Sequence, residues 1–310
     1  MGRERFERTE ADRLTFVLAA LAALANATAS VLQRKAAGDE PDVKSLRPSM
    51  FLDLLRRRVW LGGILAVIAG FVLQAAALST GSIVAVQPIL GFELPLTLLL
   101  AWPILHSRLG KIEILAAVAM AVGLAILLVS AAPQPGGHVP SLVGWLVGGF
   151  GSAAVIGACF LAGVFSEGAR RAALLGIATG CTFGLTAAFM QVATQSFAKG
   201  PLAVVLAWET YATIATGILA MYLLQNALQA GRLAAAQPGI TIADPVLAGI
   251  WGVVLFHDRI RTGPWIAGEI LGPLVIVAGM VLLLRSPYLQ GEAGRTESSP
   301  EEAGEESPEA

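Results

Sequence analysis

ALSTGSIVAVQPILGFELP, residues 77–95, and ALQAGRLAAAQPGITIADP, residues 227–245, are two versions of one stretch, and reading them as a repeat decides the fold. At an offset of about 150 residues they match at Ala77/Ala227, Leu78/Leu228, Gly81/Gly231, Ala85/Ala235, Gln87/Gln237, Pro88/Pro238 and Pro95/Pro245. Each copy runs on through apolar sequence to a polar turn, LHSRLG or FHDRIR, which sets His106 opposite His257. A second apolar run then ends GLAILLVS or GMVLLLRS. One copy is therefore two long hydrophobic segments joined by a short charged turn, and an internal repeat of this size fixes architecture before any single residue does.

Composition sets the class. Of 310 residues, 55% are hydrophobic and only 14% charged, with mean hydropathy +0.71. No Asp, Glu, Lys or Arg occurs from Ile114 to Ser166 or from Val59 to Phe92. Apolar segments of about 20 residues recur, the length that crosses a bilayer core of about 30 Å. The sequence predicts an all-α, polytopic transmembrane bundle with the lipid bilayer as its partner. Net charge is −1, so no basic field offers itself to nucleic acid. Cys159 and Cys181 lie within apolar segments and read as packed free thiols. No zinc spacing, phosphate loop, nucleophile elbow or HExxH motif is present, so the reading is of a protein that is not an enzyme and has no cofactor.

Working outward, nine segments are expected, at about 14–33, 59–78, 83–105, 112–129, 142–164, 172–194, 202–224, 233–256 and 264–284. A charged tail, 1–13, precedes them, and an acidic tail, 286–310, expected to be disordered, follows. ALANATA in segment 1 resembles a small-residue cleavage site, but the run is long and completes the repeat, so it reads as a span. Segments 3 and 4 repeat as 8 and 9, so the unit is five segments long, and segment 5 has no partner after 9. Five is odd, so the second copy must lie upside down relative to the first. The prediction is two inverted-topology repeats, five helices (14–164) plus four (165–285). With the N-terminus outside, the cytoplasmic side carries 14 Lys and Arg residues against 7 opposite, which favours N-out, C-in in a plasma membrane.

Trp60, Trp145 and Trp265 open segments 2, 5 and 9 and read as interfacial depth anchors. Gly176, Gly180 and Gly184 stand four apart, as do Gly144/Gly148 and Gly268/Gly272. Such spacing lets helix backbones approach, expected here within one bundle, with a homodimer seam as the alternative.

Glu93, Glu209 and Asp244 read as lying well inside apolar helices, with Glu269 nearer an end. A carboxylate at mid-bilayer costs about 2.5–3.5 kcal/mol on insertion scales. Such groups are kept neutral, line a wet cavity, bind a cation, or lock two helices as hydrogen-bonded acids. Glu93 and Asp244 occupy nearly equivalent places, beside Pro95 and Pro245. The four prolines would free the carbonyls of Val84, Gly91, Ala234 and Thr241, and an opened helix next to a carboxylate is a pointer to a transport site. On segment 8, Gln237, Thr241 and Asp244 share one face. Threonine stripes run along segments 6 (Thr179, Thr182, Thr186) and 7 (Thr213, Thr216), and Gln87, Asn26 and Gln74 add polar groups from segments 3, 1 and 2. The candidate substrate- or ion-binding residues are thus Asn26, Gln74, Gln87, Glu93, Glu209, Gln237, Thr241 and Asp244. His106 and His257 read as solvated turn residues.

The polar-Pro helix, the LHSRL or FHDRI turn and the glycine-bearing helix ending GLAILL, all seen twice, resemble the drug/metabolite transporter (DMT) superfamily, EamA-like. In many members the turn carries an acid before Arg; Asp258 fits this, while the first copy has Ser107. Members typically have ten helices in two inverted halves, and nine with an outside N-terminus is more like the NIPA-type magnesium transporter branch. The resemblance implies a secondary transporter of a small solute working by alternating access, proton-coupled or exchanging substrates. The alternatives are a magnesium or other divalent cation pathway, with Glu93 and Asp244 as metal ligands, and a non-transporting scaffold or sensor.

Overall fold

A computed structural model of the chain describes residues 2–38, 58–105, 110–230 and 233–285. The acidic tail 286–310, His106 and most of the basic loop between segments 1 and 2 lie outside the described residues. The described helices are α1 (Gly2–Gly38), α2 (Arg58–Thr80), α3 (Ile83–Leu90), α4 (Glu93–Leu105), α5 (Lys111–Ala131), α6 (Leu142–Val164), α7 (Gly168–Gln195), α8 (Pro201–Leu206), α9 (Trp208–Gln229), α10 (Leu233–Ile250) and α11 (Ile266–Leu284). Helices α3 and α4 together form the third span, and α10 continues through a π turn, Trp251–Leu255, to complete the eighth. Nine stretches among the described residues are long and apolar enough to cross a membrane. Their outer faces carry side chains that water would not tolerate in such number, Leu142 at 75% exposure and Phe150 at 73% among them. The chain is an all-α polytopic membrane protein.

Packing within each half follows the repeat. In the first half α1 runs antiparallel to α2, as Thr15 bonds Thr80 and Asn26 packs on Gly70. It runs parallel to the third span, as Ser30 reaches Glu93 and Lys35 reaches the Ile104 carbonyl. In the second half α7 plays the part of α1. It packs against α9 and lies parallel to α10, Gly176 against Ala236, Gly180 against Ile240, and Gly184 against Asp244. A Cβ on Gly180 would stand 2.5 Å from the Ile240 carbonyl oxygen, so the glycines four apart are what let these backbones touch. The spacing serves the inside of the bundle.

Between halves the contacts run antiparallel. On α5 and α11, Ala116 meets Gly279, Gly123 meets Gly272, and Ser130 meets Gly268. Ile83 and Val84, at the start of the third span, meet Gly252 near the end of the eighth. Equivalent helices of the two copies point in opposite directions, so the repeat is inverted. The fifth span, α6, covers α7 and the end of the eighth span, and no described helix plays its part in the second half. Helix α7 is the axis of the fold, buried over nearly its whole length from Leu175 to Thr194.

The structure departs from the sequence expectation in four places. The charged N-terminal residues do not stand apart as a tail: α1 is helical from Gly2. Segment 7 does not start at 202. Ala207 is extended, with φ −70° and ψ 125°, and separates α8 from α9, so the span begins at Trp208. The prolines open the third span but not the eighth. Helix α3 ends at Leu90 and α4 starts at Glu93, whereas α10 runs unbroken through Pro238 and Pro245. The residue whose carbonyl loses its partner is Gly91 in the first copy and Thr241 in the second, and glycine is the poorer helix former of the two. Finally, Trp145, in the first turn of its span, packs inward. It stacks on Phe189 at 5.0 Å and touches Trp208 and Trp251 in an aromatic cluster, while Trp265, half exposed beneath Arg261, sits as an anchor would.

Candidate functional site

The third and eighth spans meet near their middles, where Gly91 and Phe92 of one and Thr241 and Pro245 of the other border a common space. Glu93 opens α4 at this level, in the first helical turn after the Gly91–Phe92 break. A carboxylate on the first turn faces the positive end of the helix dipole, so the break gives an acid in mid-span a favourable seat. The Ser30 hydroxyl, from α1, donates to Glu93 Oε1 at 3.1 Å. Asp244 stands on α10, its backbone pressed against Gly184. Its Oδ1 is buried without a hydrogen-bond partner among the described residues. Glu93 and Asp244 directly adjoin Phe92 and Pro245, which border the common space from its two sides. No Lys or Arg occurs from Ile83 to Leu105 or from Leu233 to Leu255, so neither acid has a basic residue on its own span.

The other candidates divide. Thr241 lies one turn before Asp244, and Gln237 Nε2 approaches its hydroxyl at 3.5 Å, so these three residues form the shared face of α10 that the spacing predicts. Asn26 is one turn before Ser30 on α1 but packs against Gly70 of α2, beside the acid pair rather than within it. Gln74 is half-buried on α2. Gln87 is buried on α3, and its Nε2 has no acceptor among the described residues. Glu209 is not deep in a helix. It occupies the first turn of α9, at the edge of its span, because the chain breaks at Ala207. The threonine stripes do not converge on a cavity: Thr179, Thr182, Thr186, Thr213 and Thr216 each donate to the carbonyl four residues back. His257 is exposed in its turn, stacked on His138 at 4.3 Å.

Two residues outside the candidate set belong here. Ser30 binds Glu93, and its signal in the sequence is its place four residues after Asn26, on one face of α1. Gln191, buried on α7, has an Oε1 with no donor among the described residues. A cavity of about 210 Å³ lies beside the acids, between α3, α5, α10 and α11. Its wall is apolar apart from Thr241, and neither Glu93 nor Asp244 lines it. Thr241 is the residue that the cavity and the acid-bearing face of α10 share.

These features define the class: a polytopic helical membrane protein of two inverted halves with an acid from each half at the crossing. No family model matches the chain, and no solved structure matches it. A protein of Corynebacterium glutamicum described as uncharacterized is 30% identical over 289 residues, which span 92% of this chain and 100% of the relative. The chain belongs to the family of that protein.

Proposed function

We propose that the chain is a secondary transporter of a small solute, similar in plan to the drug/metabolite transporter superfamily, sited in the plasma membrane with its N-terminus outside and C-terminus inside. The observation that carries this reading is the crossing of the third and eighth spans, where Gly91 and Phe92 face Thr241 and Pro245 across a common space with Glu93 and Asp244 next to them in the chain. The two acids come from nearly equivalent positions of antiparallel halves, on helices without a basic residue, at a level where one helix is broken. Two carboxyls so placed can hold a proton or a cationic group of a solute, and rocking of the halves about the crossing presents them to one side at a time. The apolar cavity next to Thr241 takes the uncharged body of a small molecule.

The test begins with a thermal-shift screen of detergent-purified protein against metabolites, amines and divalent salts, because a ligand of the folded state raises its stability. Solutes that shift the wild type are then followed into proteoliposomes under a pH gradient. The expected result is gradient-driven accumulation that Glu93→Gln and Asp244→Asn abolish, with solute exchange retained in at least one of them. Flux of Mg²⁺ lost in both variants would move the assignment to a divalent cation pathway. No flux of any screened solute or ion in the wild type would contradict transport.

A further inference from the structure

At one end of the bundle the two halves are tied together by polar bonds between loops, and Asp258 is at the centre of them. It sits in the turn after the eighth span, 4% exposed. Its Oδ2 accepts from the hydroxyl of Ser82, which caps the start of α3, and its Oδ1 accepts from the Gly136 N–H, in the loop between α5 and α6, at 2.8 Å. Around it the chain forms an antiparallel bridge. Gln134 and Arg259 exchange backbone bonds of 2.9 Å, His138 N–H donates to the Phe256 carbonyl, and Arg261 N–H donates to the Ala131 carbonyl. Every one of these bonds joins a residue of the first half to one of the second. They close the end where α3 begins and the eighth span finishes, the opening through which the crossing would be reached from that side.

The two copies of the repeat differ in sequence at this turn. The residue that follows His257 is Asp258, and the residue that follows His106 is Ser107. A buried carboxylate that accepts from two other loops is a stronger tie than a hydroxyl. We infer that Asp258 is a latch that holds this end of the pathway shut, and that its bonds to the first half must break before the crossing of the third and eighth spans opens to that side. The inference rests on the carrier reading, but its test uses no solute, so failure to find a substrate leaves it decidable.

The background for the test is Cys159→Ala/Cys181→Ala, with a reporter thiol at Val86→Cys, fully buried on α3 one turn inward from Ser82. Protein reconstituted in liposomes is treated with a membrane-impermeant thiol reagent from each side. Asp258→Ala should raise the modification rate from the Asp258 end about ten-fold or more, as expected from losing hydrogen bonds to a charged group. Asp258→Asn, whose amide can still accept from Gly136 and donate to Ser82 but carries no charge, should fall between the wild type and Asp258→Ala. Equal rates for Asp258→Ala and wild type would overturn the latch. If Asp258→Ala does not fold, Gln134→Cys/Arg259→Cys decides. Its disulfide should slow reporter modification from that end about ten-fold, reversibly on reduction, and no change on oxidation would equally overturn the proposal.

Discussion

Asp258 is the one buried acid in the described turns between spans, and its burial couples its protonation to folding. Burial pushes its carboxyl up from the usual 3.8, while the Ser82 hydroxyl and the Gly136 and Val84 N–H groups pull it back. The folded arrangement therefore holds the proton more tightly than the unfolded chain. The stability that Asp258 contributes is greatest at low pH and falls as pH rises through the raised value. Its chain neighbours His257 and Arg259, and His138 stacked on His257, are exposed. Unfolding followed by denaturant in detergent should show wild-type stability declining as pH rises above 3.8, and Asp258→Asn without that share of the decline. A pH slope identical in the two proteins would remove the assignment. At mid-span, Ser30→Ala should weaken the hold on Glu93 by about 1.5–3 kcal/mol, the range for a bond to a charged group, seen as a lower affinity for any solute the thermal-shift screen finds.

At the scale of elements, the contacts between helices are legible in glycine and proline, and only in part. Glycines four apart on α7 announce a close approach, and α10 supplies it. Gly180→Val would drive a branched side chain into the Ile240 carbonyl and should cost about 1–3 kcal/mol, measured as a lower unfolding temperature. An unchanged temperature would contradict the close approach. Proline is harder to read. The same pair of prolines in each copy points to two opened helices, yet only the third span breaks, because the unpartnered carbonyl falls on Gly91 there and on Thr241 in α10. The depth of Glu209 escapes hydropathy for a related reason. The apolar run PLAVVLA looks like the start of a span, and nothing in it marks Ala207 as the extended residue after which the helix restarts. The latch is invisible in the sequence, since Ser82, Gly136 and Asp258 meet only once the halves are folded together.

At the scale of the whole molecule, the odd number of segments in the repeat is enough to predict inversion, and the antiparallel contacts of α5 with α11 show it. On the carrier reading, inversion brings Glu93 and Asp244 to one crossing. The most direct measurement is cross-linking of Glu93→Cys/Asp244→Cys with a short bifunctional thiol reagent, in the Cys159→Ala/Cys181→Ala background, followed by proteolytic cleavage between α6 and α7. The expected result is two fragments covalently joined within one chain. Fragments that come apart, while those of Gln134→Cys/Arg259→Cys stay joined under oxidation, would contradict it.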